Sequence, residues 1–544
     1  MMKNIRVLDC TLRDGGRIID CAFPDEHIKD ISYRLTDANV DIIELGFLRN
    51  NITYNGNSTF FTDVDQIRPY VIRNQTHTMY VVFVDYGMFD FSTLKRYDGT
   101  SIDGIRVGFV RENFLSNYDD LIRCLRIVKT QGYKLFIQGV NSLGYSDSEF
   151  LQIIDMINEI KPYSFGIVDT YGAMYVDDVQ KYYHLVNKNM DKDICIDFHS
   201  HNNFQLSFAF AQEIIGLSKG ERSIIIDATL NGMGKCAGNL CLELIVDFLI
   251  RKMYSDYDLD GILDIIDDYM YGIKKNHSWG YSIPAMMAGI YKSHPNNVIY
   301  LTDKYRLTTK EIKYIISTIE PAKRQRYDYD NIQRIYIEYN HTKVDDSATM
   351  KSLQQLFLEK DVLLLVPGHS LVDYADKIDA LIYEKNPQII SVNFVTDKGK
   401  KESRLAFFGS EKRYKKFSAM RMGENVAIVS NIVSDCPDDF VVNYESLIER
   451  ESEIFDNTMI MLLNLLKKIG VTKMQVAGYD GFTTPDKNYF NSEVFDDGRF
   501  EADYPSINRN VREMLGKYVK KLENPESIQF ITPSVYADIF GGEK

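Results

Sequence analysis

Short apolar runs recur through the first half of the chain: Ile5 to Asp9, Asp41 to Phe47, Met79 to Tyr86, Ile102 to Phe109, Tyr133 to Val140, Ser164 to Thr170, Ile194 to His201 and Ser223 to Leu230. Each is too short for a buried helix and reads as a strand covered on both faces. Several of the segments between them have helical spacing, such as Ile28, Ile31 and Leu35 after Pro24-Asp25, and Leu121, Cys124, Leu125 and Val128 after Asn117. Eight strand–helix units within about 250 residues predict a (β/α)8 TIM barrel. A doubly wound open sheet is the alternative.

Beyond residue 250 the pattern becomes helical, with Gly261 to Tyr271, Ser282 to Tyr291 and Thr309 to Glu320 as examples, and the polar stretch Lys343 to Thr349 reads as a linker. A new period begins with the strand Val362 to Val366, the turn Pro367-Gly368-His369-Ser370, the helix Val372 to Glu384 and the strand Gln388 to Phe394. Further runs at Asn425 to Ile432, Lys473 to Gly478 and Ser527 to Pro533, with a helix at Ile454 to Ile469, extend this βαβ unit into a Rossmann-like α/β domain. The expected organisation is a barrel over 1–250, a helical extension and linker over 251–355, and the Rossmann-like domain over 356–544.

Composition narrows the function classes. The 544 residues are 45% hydrophobic and 26% charged, as in a globular protein with a sizeable core. A net charge of -14 argues against general attraction to nucleic acid or an anionic membrane. The early first strand leaves no room for a signal peptide, and no apolar run approaches the ~20 residues of a membrane span, so a cytoplasmic location is expected. Seven cysteines without CxxC spacing favour reduced thiols over a disulfide framework or structural zinc. A homo-oligomer is compatible with this composition.

In a barrel, chemistry belongs at the carboxyl ends of the strands. Asp14 follows the first run, Glu44 lies near the end of the second and Asp85 the third; Asn141 follows the fifth, Asp169 ends the sixth, His199 and His201 the seventh, and Asp227 lies in the eighth. Strand alternation puts His199 and His201 on one face. With Asp14 they make a mixed N/O set suited to Mn2+, Mg2+, Co2+ or Zn2+. Arg17 remains protonated, and its planar fork suits a carboxylate or phosphate on a substrate. In the second domain one glycine stands where dinucleotide binders have three, so NAD is not expected; Gly368 and Ser370 are instead candidates for a nucleotide or phosphosugar. Basic residues crowd the connection from Lys398 to Lys416, which reads as a solvated loop.

Thr11-Leu12-Arg13-Asp14-Gly15, the HxH of His199 and His201, and Asn231-Gly232-Met233-Gly234-Lys235-Cys236-Ala237-Gly238-Asn239 together resemble the metal-dependent lyase and aldolase superfamily of hydroxymethylglutaryl-CoA lyase and 4-hydroxy-2-oxovalerate aldolase. The resemblance covers about the first half of the chain. It implies a divalent-metal aldolase or lyase, with Mn2+ or Mg2+ leading, that forms or cleaves a carbon–carbon bond beside a 2-oxo acid of pyruvate type, with an aldehyde as the second substrate. It also implies Asn239 as a fourth ligand and Arg13 as the cation that stabilises the enolate. The pattern departs at Arg17, where the aldolases carry a catalytic histidine and the condensing branch usually a glutamine. The general base is therefore sought at Glu44, in an Ile-Glu-Leu-Gly stretch resembling the strand-two motif, then at Tyr281 and His294. The alternatives are an acyl-CoA/2-oxo acid Claisen condensing enzyme and an altered barrel acting as a binding scaffold. The second domain is distantly similar to the nucleotide-binding half of bacterial sialyltransferase-like proteins, around Leu365 to Leu371 and Ile531 to Ser534; that fusion points to surface-polysaccharide sugar metabolism.

Overall fold

The computed structural model describes residues 4–73, 77–303, 307, 309–340, 344–421, 423–450, 452, 455–471, 473–484, 488–491, 504–522, 524 and 527–541. Two compact units divide at residues 329/330, inside the stretch read from sequence as helical extension and linker. Lys343 and Ile454 lie outside the described residues, and part of the expected linker is the helix Ser347–Phe357.

In the first unit, β1 (Ile5–Asp9), β2 (Ile42–Leu48), β3 (Phe60–Phe61), β4 (Met79–Asp85), β5 (Gly104–Phe109), β6 (Lys134–Gly139), β7 (Ser164–Asp169), β8 (Cys195–Ser200) and β9 (Ile224–Ala228) form one parallel sheet. Pairing of β1 with both β9 and β2 closes eight of them into a barrel, and the two-residue β3 adds outside β2. The fold is the (β/α)8 barrel with a second α/β unit behind it in sequence.

Alternation along each strand sorts the barrel into layers. Outward residues such as Val7, Ile43, Val82, Ile105, Ile137 and Ile226 pack beneath amphipathic helices, including Asp25–Asp37 and Asp147–Ile160. Leu8, Cys10, Ile42, Val81, Phe136, Cys195 and Ile225 share an apolar interior cluster. Two residues further along their strands, Glu44, Gln138, Asp197 and Asp227 join Arg106 in a buried polar layer. Gly166 makes room for that layer: a Cβ there would lie 1.8 Å from Gln138 Oε1.

The second unit carries β10 (Val362–Leu365), β11 (Gln388–Val392), β12 (Arg404–Phe408), β13 (Asn425–Val429), β14 (Phe440–Val442), β15 (Met474–Ala477) and β16 (Ile528–Phe530). The sheet is parallel in the order β14-β13-β12-β11-β10-β15-β16. Strand order reverses between β10 and β15, which makes their carboxyl ends a topological switch point. The expected solvated basic loop needs correction: its centre is β12, buried at every position. Arg404 donates from Nη1 to Thr396 O at 2.8 Å, while Lys398 and Lys415 pair with Asp379 and Glu411. Phe407 and Phe408 supply the apolar surface that makes this segment a strand; the flanking charges had masked it.

Candidate metal centre and the charges around it

The turn after β1 presents Arg13 and Asp14. The amides of Arg13, Asp14 and Gly15 all donate to Cys10 O, and Gly16 lets the chain pass Phe23, whose ring a Cβ would meet at 2.9 Å. Asp14 Oδ2 then lies 3.8 Å from His199 Nε2 and 3.6 Å from His201 Nε2. Asn239 Nδ2 donates to the same oxygen at 3.0 Å and to Met233 O at 2.9 Å. Asn239 Oδ1 is buried without a hydrogen-bond partner among the described residues. All four sequence-derived ligand candidates thus come together.

His199 Nδ1 donates to Asp227 Oδ2 at 2.9 Å, which leaves the Nε2 lone pair facing Asp14. Burial pushes both imidazoles down to about 4, so they are neutral near pH 7 and able to ligate. Burial is the largest single influence and would raise Asp14, yet Arg13, the two imidazoles and Arg17 together hold the carboxyl well below its usual range. These donors fit a divalent ion: two neutral imidazoles, one ionised carboxylate and an amide oxygen with no other bond.

The polar layer below holds this set. Arg106, with no exposed surface, reaches Asp227 at 2.6 Å, Asp197 at 3.0 Å and Glu44 at 3.2 Å. Gln138 donates to Asp197 at 2.6 Å. Burial pushes Asp197 up to about 7 and raises Asp227 despite Arg106. Four carboxylates, Asp14, Glu44, Asp197 and Asp227, share three guanidiniums, Arg13, Arg17 and Arg106. The excess negative charge is the electrostatic counterpart of a bound cation.

The catalytic candidates separate. Arg13 donates from Nε to Glu44 at 2.5 Å and from Nη1 to Asp14 at 2.6 Å, and its guanidinium lies 4.6 Å from the Phe83 ring centre. Glu44 is fully buried between Arg13 and Arg106. Tyr281 is 55% exposed with its hydroxyl 3.8 Å from Met286 Sδ, so the structure does not bring it into the cluster. His294 accepts from the Asn296 amide at Nδ1, 3.1 Å away, which assigns its ring proton to Nε2. Arg17 lies over Phe47 at 4.5 Å, with Asp14 at 3.4 Å and Asp85 at 3.6 Å.

Three residues that sequence reasoning passed over belong to the same region. Arg106 was signalled as a lone charge in the apolar run of β5, a pattern that demands a buried partner. Asp197 stood beside the HxH and was not weighed. Lys235, in the glycine-rich loop, lies half-buried with Nζ 3.2 Å from Asn296 Oδ1. That loop is held by Trp279, which donates to Asn231 O at 2.8 Å, and by the Gly280 amide bonded to Cys236 O.

In the second unit, Gly368 and Ser370 sit at the switch point. A Cβ on Gly368 would lie 2.3 Å from Gly478 O, so only glycine fits between β10 and the turn after β15. The Ser370 amide donates to Asp480 Oδ2 at 2.7 Å and its hydroxyl to Asp480 Oδ1. The anion at this turn is therefore a carboxylate of the chain itself.

Residues 103–268 match the family model described as HMGL-like. That segment, which holds β5 to β9, is HMGL-like. Among curated relatives, the oxaloacetate decarboxylase of Mycobacterium tuberculosis is 25% identical over 49% of this chain and 76% of its own length. The 2-isopropylmalate synthase of Sulfolobus acidocaldarius is 28% identical over 47% of this chain and 64% of its own, so the chain spans less than two thirds of that relative. The 4-hydroxy-2-oxovalerate aldolase of Carboxydothermus hydrogenoformans is 23% identical over 57% of this chain and 91% of its own. The relatives therefore include a decarboxylase, an aldolase and a synthase. Among the described residues no helix is long and apolar enough to cross a membrane.

Proposed function

We propose that the barrel is a divalent-metal-dependent aldolase or lyase that makes or breaks a carbon–carbon bond beside a 2-oxo acid. The observation that carries this reading is the convergence of Asp14, His199 and His201 with Arg13 bonded to the same aspartate. Asp14, His199, His201 and Asn239 would hold the ion, Mn2+ or Mg2+ in this reading. When bound, it would supply a Lewis acid for the carboxylate and ketone oxygens of the substrate.

The remaining work falls to the chain. Glu44 takes Nε and Asp14 takes Nη1 of Arg13, so Nη2 is the nitrogen left to meet negative charge developing on a substrate oxygen. In this reading Glu44 positions Arg13, because its carboxylate is committed to two guanidiniums and lies below the site. Of the three base candidates His294 is neutral near pH 7, with Nδ1 occupied by the Asn296 amide and Nε2 carrying the proton, so it would offer a hydrogen-bond donor to the substrate and not a general base. A nucleotide or phosphosugar at Gly368 and Ser370 of the second unit would meet Asp480 through its hydroxyl groups rather than its phosphate.

A second reading, condensation of an acyl-CoA with a 2-oxo acid, is favoured by the synthases among the relatives. The two separate in one assay. The purified full chain with Mn2+ is offered 4-hydroxy-2-oxo acids, and pyruvate release is followed by coupled reduction. In parallel, 2-oxo acids plus acetyl-CoA are followed by thiol release. Pyruvate release without acetyl-CoA is expected; thiol release alone would replace the aldolase reading with the condensing one.

A further inference from the structure

Beside the candidate metal centre, three cationic or hydrogen-donating groups come from three separate segments. Arg17 leaves the turn after β1, Lys235 rises from the glycine-rich loop after β9, and His294 heads the helix Pro295–Asp303. The links between them run through shared residues. Lys235 Nζ approaches Asn296 Oδ1 at 3.2 Å, and the amide of that same Asn296 fixes His294 through Nδ1 at 3.1 Å. Asn239, four residues after Lys235, bonds Asp14 at 3.0 Å, and Asp14 lies 3.4 Å from Arg17 Nε. The loop and the turn also touch through the backbone, since a Cβ on Gly15 would lie 3.4 Å from Met233.

The charges of this group are poorly matched by the protein. Among the described residues no carboxylate lies within 4.0 Å of Lys235 Nζ, which donates to a neutral amide oxygen. Arg17 has Asp14 and Asp85 at 3.4 and 3.6 Å, whereas its neighbour Arg49 takes Asp85 at 2.7 Å. A half-buried ammonium facing a second cation costs stability unless something anionic joins it. Burial, then Arg17, lowers Lys235 below its usual value, and burial followed by Lys235 and Arg17 brings His294 down to about 4. Both effects fit mutual proximity of the three groups.

We propose that Arg17, Lys235 and His294 form a recognition site for a second oxyanion on the substrate, a carboxylate or phosphate carried on the part of the molecule away from its 2-oxo acid group. The proposal rests on the aldolase or lyase reading for the position of the 2-oxo acid group, and it narrows the substrate class to dianions. Lys235 supplies a point charge, Arg17 a planar pair of donors and His294 a neutral N–H. A neutral histidine here binds an oxyanion without adding to the repulsion between the two cations.

The test is equilibrium binding by calorimetry on the full chain loaded with Mn2+. The probes are 2-oxopentanoate, 2-oxoglutarate and 3-phosphonopyruvate, the first lacking the second anion and the others supplying it as carboxylate or phosphonate. The dianions are expected to bind at least about tenfold tighter than 2-oxopentanoate, with the stronger of the two naming the oxyanion. Lys235→Met should bring that ratio close to one, and Lys235→Arg should restore most of it; circular dichroism checks that both variants fold. Inorganic phosphate is titrated into metal-free protein to separate this site from the metal reading. Loss of phosphate binding in Lys235→Met supports the oxyanion site even if Mn2+ itself fails to bind, a result that would remove the aldolase reading alone. An unchanged dianion ratio and unchanged phosphate binding in both Lys235→Met and Arg17→Met would overturn the proposal.

Discussion

At the carboxyl end of the barrel, Asp14, His199 and His201 turn ligand atoms toward one another, with Asp14 held by Arg13 and His199 by Asp227 of the polar layer beneath. At the carboxyl ends of β10 and β15, the corresponding place in the open sheet, the Ser370 donors close on Asp480. Both sheets obey the rule that chemistry-bearing loops gather where parallel strands end. The difference lies in satisfaction. Around the barrel mouth, charge is left in excess on both signs, negative at the metal centre and positive at Lys235. At the switch point the same kind of turn is internally matched. A topological address therefore says where to look, and the inventory of unmet donors and acceptors says what would bind.

The largest effect should come from the polar layer. Replacing Arg106 with Met would leave Glu44, Asp197 and Asp227 without their shared cation in a fully buried setting, a loss of about 3–5 kcal/mol. Chemical unfolding of the full chain, read on the transition of the barrel, measures it. A change below about 1 kcal/mol would mean that these carboxylates are held mainly by protonation, and the contrast in charge excess would weaken.

Asp227→Asn is smaller because it keeps the shape and loses only the strong acceptor that orients His199. Divalent-ion affinity should drop by about 10–100-fold, measured by calorimetry, with the fold intact. Smallest is Ser370→Ala, which removes one hydroxyl donor from Asp480 and should cost the second unit about 1 kcal/mol while leaving ion affinity in the barrel unchanged. If instead this variant stabilises the unit, the turn is strained to meet a ligand and is not self-satisfied.

The eight barrel strands were legible because each is a short apolar run that starts and stops within a residue or two of the observed pairing, as at Ile5–Asp9 and Ser164–Asp169. β12 was not, because Arg404 and the lysines flanking it made a buried strand read as a charged loop; its burial depends on pairing with β11 and β13, which no local pattern encodes. The facing of His199 and His201 followed from alternation, and Asp14 from its motif. The grouping of Lys235 with His294 was not legible, since the two residues meet only through Asn296 and a helix that follows the barrel. Tyr281 is near in sequence to Trp279, which bonds the glycine-rich loop, but its own hydroxyl lies against Met286.

Binding of Mn2+ to the full chain, compared with Asp14→Ala, His199→Ala and His201→Ala by calorimetry and metal analysis, tests the central claim most directly. One ion per chain is predicted, with affinity lost by at least about 100-fold in each variant, beyond the loss typical of a residue that merely orients a ligand. Unchanged stoichiometry and affinity in both histidine variants would contradict the assignment and leave the barrel without the centre on which the proposed chemistry depends.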